Sequence, residues 1–265
     1  MTPVSVTRGD SPVILGMPHT GTHVPDAIMA MLNPNGQALA NTDWHLDQLY
    51  GGLLEGATLV RANFHRYVID ANRDPEGRSL YPGQNTTGLV PLTDFDGAPL
   101  WREEPDAAEI ARRLEQWHRP YHTALSAEID RVRELHGVAI LWDCHSIRSV
   151  IPYLFDGTLP DLNIGTDNGR TCDPRVQATV NEICTASGRS TVLNGRFRGG
   201  WTTRHHGRPE TGVHAIQMEM AYSAYLAAET PPWTYAPGTA APMRAILGDC
   251  LTRLAALAPA LATRA

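Results

Sequence analysis

The chain contains no lysine, so all 22 of its Lys and Arg positions are arginine. The 28 acidic residues leave a formal net charge of −6, and without a basic surplus the chain cannot bind nucleic acid by neutralising phosphates. It also lacks an apolar run of the roughly 18 residues that a membrane helix needs, and residues 1–12 lack the apolar centre of a signal peptide. We therefore expect neither nucleic acid nor a membrane as a partner. A local positive pocket for a small anion remains compatible with this charge.

Cysteine is also scarce. The chain has four, at Cys144, Cys172, Cys184 and Cys250, and no two of them form a C-x-x-C pair. A chain of 265 residues with 42% hydrophobic residues can form a core without disulfides, and this composition excludes global disorder. We predict a reduced, cytoplasmic protein, and oligomeric state is not indicated by the sequence.

Hydrophobic periodicity predicts strands that alternate with helices. We expect strands over residues 12–17, 57–64, 138–142, 191–193 and 213–220, and helices over 43–54, 106–136, 173–187 and 243–257. Pro120 is expected to kink or split the helix 106–136, and residues 71–105 predict a long surface excursion. The alternation indicates an α/β fold with a mainly parallel sheet covered on both faces.

Polar residues follow the predicted strands, at the sheet edge where such folds bind ligands. His19 follows the first strand and His145 follows the run 138–142. Either histidine alone is more simply a turn or surface residue, but two at one edge favour a metal site, since neutral imidazole and carboxylate are ligands of catalytic zinc. Asp143 could orient the imidazole of His145. His23 is a weaker candidate because Gly21 argues against a regular helix between it and His19.

A third ligand is expected to be an acid close to His19. Asp43 and Asp47 lie one turn apart on the predicted helix 43–54. Both are also explained as acids that suit the positive end of a helix dipole. We favour Asp47, since an acid among apolar neighbours requires a partner, and keep Asp43 as the alternative.

Two further segments can each be interpreted in more than one way. Gln217 and Glu219 share one face of the predicted strand 213–220, which fits either a half-exposed edge strand or a buried carboxylate of raised pKa that acts as a general base. Residues 194–207 contain Arg196, Arg198 and Arg204 among glycines. That segment is either a solvated loop, an anion clamp or a closing lid.

Six segments together resemble a known family: PHTGTHVP, TDWHLDQLY, HRYVIDANRDP, LWDCHSIRS, LNGRFRGGWTTRHHG and GVHAIQMEM. In this order, over roughly residues 12–229, they resemble the N-formylglutamate amidohydrolases, which are similar to the zinc carboxypeptidase and aspartoacylase group. The resemblance implies that residues 1–265 form a single three-layer α/β hydrolase domain. Its central sheet is expected to be mixed and mainly parallel, of the zinc-carboxypeptidase-like (phosphorylase/hydrolase-like) kind, with one Zn²⁺ per chain.

The resemblance also implies an activity, the hydrolysis of N-formyl-L-glutamate to formate and L-glutamate in histidine degradation. His19 and His145 match two zinc ligands of the group, and Glu219 matches the base. The pair Asn72 and Arg73 matches the residues that bind the substrate carboxylate.

The chain departs from this pattern at Thr22, which stands where the group has its acidic ligand, so Asp47 or Asp43 must replace that ligand. Arg66 is expected to stabilise the oxyanion. Arg148, Arg196, Arg198 or Arg204 is expected to hold the side-chain carboxylate of the substrate.

Three other functions are compatible with the sequence. The first is the same chemistry on another N-acyl or N-formimidoyl acidic amino acid, and the second is a non-catalytic protein that binds acidic amino acids without a metal. The third is a Cys144 nucleophile assisted by His145, which is disfavoured because adjacent strand residues point to opposite faces of a sheet.

Overall fold

Seven strands form one mixed sheet within residues 1–80 and 83–262, which this computed structural model describes. The strands are β1 (Val4–Thr7), β2 (Val13–Met17), β3 (Thr58–Ala62), β4 (Ala139–Ile147), β5 (Leu162–Gly165), β6 (Thr191–Leu193) and β7 (Val213–Ala221). Their spatial order is β1-β3-β2-β4-β7-β5-β6. The pairs β1–β3 and β5–β7 are antiparallel, and the other four pairs are parallel. The expected mixed, mainly parallel sheet is therefore confirmed.

Helices cover both faces of this sheet. They are α1 (Asp26–Met31), α2 (Pro34–Gln37), α3 (Leu46–Tyr50), α4 (Ala107–Arg113), α5 (Arg119–His136), α6 (Pro174–Ala186), α7 (Trp201–His206) and α8 (Pro237–Leu261). Short 3₁₀ turns at Pro209–Thr211 and Tyr222–Ala224 flank β7. No helix within the described residues has the length and apolar character needed to cross a membrane.

Alternating side chains of the central strands divide the core into two layers. On one face of β4, Trp142 and Cys144 pack with α3, α6 and α8. On the other face, Ala139 and Leu141 pack with α5. All residues of β4 and of β7 are buried, as expected of strands covered by helices on both faces. The three-layer α/β architecture is thus confirmed.

Two predicted helices differ from the observed ones. The helix predicted over 43–54 is only α3, because His45 has a left-handed backbone (φ 57°) and residues 43–45 precede the helix. The helix predicted over 106–136 is not broken at Pro120. A π-helical turn, Leu114–His118, joins α4 to α5 and accommodates the missing N–H of the proline near the start of α5.

Candidate active site

The carboxyl ends of three neighbouring strands bring polar side chains to one edge of the sheet. His19 follows β2, Asp143 and His145 belong to β4, and Gln217 and Glu219 belong to β7. In the parallel pairing of β4 with β7, Asp143 is aligned with Gln217 and His145 with Glu219. Residues two apart in a strand share a face, so these four side chains lie on the same side of the sheet. The strand predicted over 138–142 in fact continues to Ile147 and includes His145.

His19, Asp43 and His145 converge in a buried cluster. Their ligand atoms all lie within 4.8 Å of one another, a grouping of the kind that can hold a metal ion. The Nδ1 atoms of His19 and His145 are 3.2 Å apart. The Asp43 Oδ2 atom is 3.3 Å from Nδ1 of His145 and 3.8 Å from Nδ1 of His19.

The Nε2 atoms of both histidines contact other carboxylates, which orients the two imidazoles. Nε2 of His19 lies 2.7 Å from Asp70 Oδ1, and Nε2 of His145 lies 3.0 Å from Asp143 Oδ1 and 3.2 Å from the amide nitrogen of Asn72. A histidine that donates from Nε2 can present the lone pair of Nδ1, as metal-bound histidines with carboxylate partners do. Thr203 donates to the second oxygen of Asp143 at 2.7 Å and so fixes that carboxylate in turn.

The cluster favours positive charge at its centre. Burial opposes protonation of His145, but Asp143 and Asp43 raise its pKa well above the usual range. Burial likewise opposes ionisation of Asp43, yet the Arg66 guanidinium and the two histidines hold its pKa well below the usual range. Two imidazole nitrogens and one ionised carboxylate are a donor set that fits a divalent zinc ion.

A backbone contact positions Asp43 beside His19. Its N–H donates to the His19 carbonyl at 3.0 Å, while Arg66 and the Ser146 N–H donate to its two carboxylate oxygens at 2.5 and 3.1 Å. The structure does not bring Asp47 to the histidines. Its carboxylate is 54% exposed and lies 3.4 Å from Arg61, because α3 begins at Leu46 and directs Asp47 outwards. The sequence-based preference for Asp47 over Asp43 is corrected accordingly.

Glu219 is a buried acid on an interior strand. β7 lies between β4 and β5, so the half-exposed edge-strand interpretation is wrong. Burial raises the pKa of Glu219 to about 8, with a further increase from Asp43 that His145 and Arg66 partly oppose. Such a carboxyl can gain and lose a proton close to neutral pH.

These groups open into a cleft of about 580 Å³, a volume that includes space open to the solvent. The described residues that line it include His19, Arg66, Asn72, Arg73, Thr86, Thr87, Phe95, His145, Ser146, Ile147, Leu154, Arg196, Phe197, Gly200, Gln217 and Glu219. The remaining expected arginines have contacts elsewhere. Arg148 pairs with Asp96 at 2.6 Å, Arg198 donates to the Gly195 carbonyl at 3.3 Å, and Arg204 donates to the Gly199 carbonyl at 2.9 Å.

Arg73 and Asn72 are held rigidly in the cleft wall. The Arg73 guanidinium donates to the carbonyl and the hydroxyl of Thr87, both at 2.8 Å, and to the Asn72 carbonyl at 2.9 Å. The Asn72 side-chain oxygen accepts from the Thr202 N–H at 2.8 Å. A side chain at position 200 would place its Cβ 2.2 Å from the Asn72 amide, so this close approach requires Gly200.

Arg66 and Arg196 are the other cations of the cleft. Arg66 is buried, stacks over Phe95 at 5.2 Å, and its Nε has no partner among the described residues. Arg196 donates to the carbonyls of Leu154 and Asn85 at 3.0 and 2.8 Å. The cleft therefore combines several cationic groups with the buried histidine–carboxylate cluster.

Two residues considered from the sequence do not join this site. Cys144 is buried in the opposite core layer, its thiol contacts the Trp142 carbonyl at 3.6 Å, and burial raises its pKa well above the usual range. It cannot act as a nucleophile in the cleft. His23 packs its ring 5.8 Å from that of Trp117. Asp70 and Thr203 were missed as partners of the cluster, although Asp70 stands two residues before Asn72.

A histidine–carboxylate donor set beside a carboxyl of raised pKa is typical of metal-dependent hydrolases. The sequence model of N-formylglutamate amidohydrolase matches residues 11–226. The chain belongs to this family.

Similar proteins agree with that assignment. The N-formylglutamate deformylase of Pseudomonas putida is 47% identical over 257 residues, which are 96% of each chain, and that of Pseudomonas aeruginosa is 45% identical with the same coverage. The crystal structure of an N-formylglutamate amidohydrolase from Ralstonia eutropha JMP134 is 24% identical and covers 97% of this chain and 98% of its own, with a TM-score of 0.79. This last likeness supports the fold.

Proposed function

We propose that this chain hydrolyses the formamide bond of N-formyl-L-glutamate to give formate and L-glutamate. The observation that carries the proposal is the convergence of His19, Asp43 and His145 beside Glu219 in a cleft lined by arginines. Membership of the family and the relatives named N-formylglutamate deformylase support the substrate. We further propose that residues 1–265 act as a single hydrolase domain in the cytoplasm, which agrees with four unbridged cysteines.

His19, Asp43 and His145 are proposed to hold one Zn²⁺ per chain. When bound, the ion supplies Lewis acidity that polarises a carbonyl and makes water more acidic. Asp70 and Asp143 keep both histidines oriented with Nδ1 towards the shared centre. Arg66 holds the Asp43 carboxylate in place by its short contact to Oδ1.

Glu219 is the proposed general base and acid. It takes a proton from water as the water oxygen attacks the formyl carbon, and later delivers that proton to the leaving nitrogen as the C–N bond breaks. The water oxygen ends in formic acid, which releases its remaining proton to give formate, and the proton carried by Glu219 ends on the amine of glutamate. A pKa of about 8 lets one carboxyl serve in both directions near neutral pH.

The arginines are proposed to bind the negatively charged groups of the substrate. Arg66, whose Nε has no partner among the residues that the structure describes, would donate to the oxyanion that forms at the formyl carbon. Asn72 and Arg73 would hold the α-carboxylate and Arg196 the γ-carboxylate, since these residues line the same cleft. Arg148, Arg198 and Arg204 are less suited because they are not among the residues that line it.

The decisive experiment measures formate release from N-formyl-L-glutamate by the purified full-length chain, with and without a chelator. We expect turnover that the chelator abolishes and added zinc restores. N-formimidoyl-L-glutamate and N-acetyl-L-glutamate serve as competing substrates. Faster turnover of either would change the assigned acyl group, and substrate binding without turnover in zinc-loaded protein would identify a binding protein instead.

A further inference from the structure

Gln217 links the base Glu219 to the start of helix α7. Gln217 is 3% exposed and lies two residues before Glu219 on β7. Its Oε1 atom is 2.6 Å from the backbone nitrogen of Gly200, the residue that precedes α7. Its Nε2 atom is 3.1 Å from Oε2 of Glu219.

The chemistry of these contacts determines the orientation of the amide. The Gly200 backbone N–H can only donate, so the Gln217 atom that faces it must be the oxygen. The Nε2 group is therefore directed at Glu219, where it donates to Oε2. A flipped amide would place two donors against each other at 2.6 Å and leave both buried without an acceptor.

This orientation makes the two oxygens of Glu219 unequal. Oε2 accepts the hydrogen bond from Gln217, and a carboxyl oxygen that carries the proton is a much weaker acceptor than the carbonyl oxygen. The hydrogen bond from Gln217 therefore favours the transferable proton on Oε1. We propose that Gln217 is a positioning residue that reserves Oε1 of Glu219 for proton transfer, an inference that rests on the proposed role of Glu219 as the base.

The first test is infrared spectroscopy of the metal-free, full-length chain during a pH titration, which is followed down to the pH at which the band of the protonated Glu219 carboxyl is fully developed. The difference spectrum between wild type and Glu219→Gln isolates the C=O stretching band of this carboxyl. We expect Gln217→Met to move that band to higher frequency, because the C=O oxygen loses its hydrogen bond. An unmoved band would overturn the proposal, and this readout needs no catalytic activity.

The second test is a double-mutant cycle in the zinc-loaded enzyme with N-formyl-L-glutamate. Gln217→Met is expected to lower kcat roughly 10- to 100-fold, the scale of a hydrogen bond to a charged group, with KM changed less than about twofold. In the Glu219→Gln background the same substitution should change kcat by less than about twofold, because the group it positions is already absent.

His214→Gln is the matched control. His214 is a buried polar residue of the same strand, and its Nδ1 accepts from the Asp173 N–H at 3.1 Å, away from the carboxyl of Glu219. We expect His214→Gln to lose stability and to keep an unchanged kcat.

Two outcomes would contradict the positioning role. One is that the reductions in kcat caused by Gln217→Met and by Glu219→Gln multiply in the double variant, and the other is that Gln217→Met raises KM at a normal kcat. Failure of the wild type to release formate would instead refute the proposed function, while the infrared result would still decide on Gln217.

Discussion

The two faces of the β4–β7 pair differ in what their buried residues require. On one face Trp142, Cys144, Ile216 and Met218 pack continuously against α6 and α8. The other face starts apolar under α5 and becomes polar at the carboxyl ends, where Asp143, His145, Gln217 and Glu219 stand.

The comparison shows how one sheet supports both stability and chemistry. The apolar face needs only volume and shape, because dispersion and burial are non-directional. Each polar residue on the other face needs a partner, since an unpaired buried polar group is costly. Substitutions should therefore change stability on the first face and function on the second.

The largest effect is expected at the proposed metal ligands. His19→Ala, His145→Ala and Asp43→Asn should each lose zinc and lower kcat/KM by roughly 10³-fold or more, because two protein ligands hold a catalytic zinc poorly. Elemental analysis after dialysis, together with formate release, measures both effects. Asp47→Asn, exposed and paired with Arg61, is the matched control and should keep its zinc. Any ligand variant that retains a full equivalent of metal would remove that residue from the set.

Glu219→Gln should separate metal binding from proton transfer. The amide is nearly isosteric but cannot shuttle a proton, so kcat should fall by roughly 10²–10⁴-fold while zinc content and substrate binding are retained. Titration calorimetry with N-formyl-L-glutamate measures binding in the inactive variant. Loss of zinc would make Glu219 a ligand, and near-normal kcat would assign the base elsewhere.

A smaller effect is expected at Arg73. Arg73→Lys keeps the positive charge but loses the planar fork that contacts Thr87 and Asn72, so kcat/KM should fall roughly 10- to 100-fold.

N-formyl-L-glutamine, which lacks the γ-charge, should be a poor substrate for the wild type by steady-state kinetics. Equal turnover of the two substrates would show that no arginine binds the γ-carboxylate.

The last comparison concerns the stability of the metal-free chain, for which substitutions on the two faces should differ in their dependence on pH. Met218→Ala on the apolar face should lose about 2–5 kcal/mol at any pH, as a cavity does. Glu219 has a folded-state pKa of about 8 against 4.5 for the ordinary carboxyl, so the folded chain holds a proton that the unfolded chain has released. The contribution of Glu219 to stability is therefore present below pH 4.5 and is lost as the pH rises to about 8.

Glu219→Gln removes this pH dependence. In urea unfolding of the metal-free proteins, the free energy of unfolding of Glu219→Gln should rise relative to that of the wild type between pH 5 and pH 8.5. The free energy of unfolding of Met218→Ala should instead stay below that of the wild type by a constant amount. A stability difference that stays the same across this range would contradict the raised pKa of Glu219.

Much of the sheet and two of the three residues of the cluster were predictable from the sequence. Apolar runs locate β2, β4 and β7, and His19 and His145 follow from the sheet edge. The choice between Asp43 and Asp47 was not predictable, because it depends on where α3 begins and on the backbone bond from Asp43 to His19. Neither the start of α3 nor this backbone hydrogen bond is reflected in the hydrophobic periodicity of the sequence. The four-residue strands β1 and β5 were missed for the same reason, since their pairing is long-range.

The parallel order of β2, β4 and β7 also bears on how fast the cluster can assemble. His19 and His145 are 126 residues apart in the chain, and Asp43 and Ser146 are 103 apart. Contacts of such high sequence separation require long loops to close, and folding rates fall as mean sequence separation rises. The ligand cluster should accordingly form late, together with the central strands, and a metal ion that binds it should stabilise the chain against global unfolding.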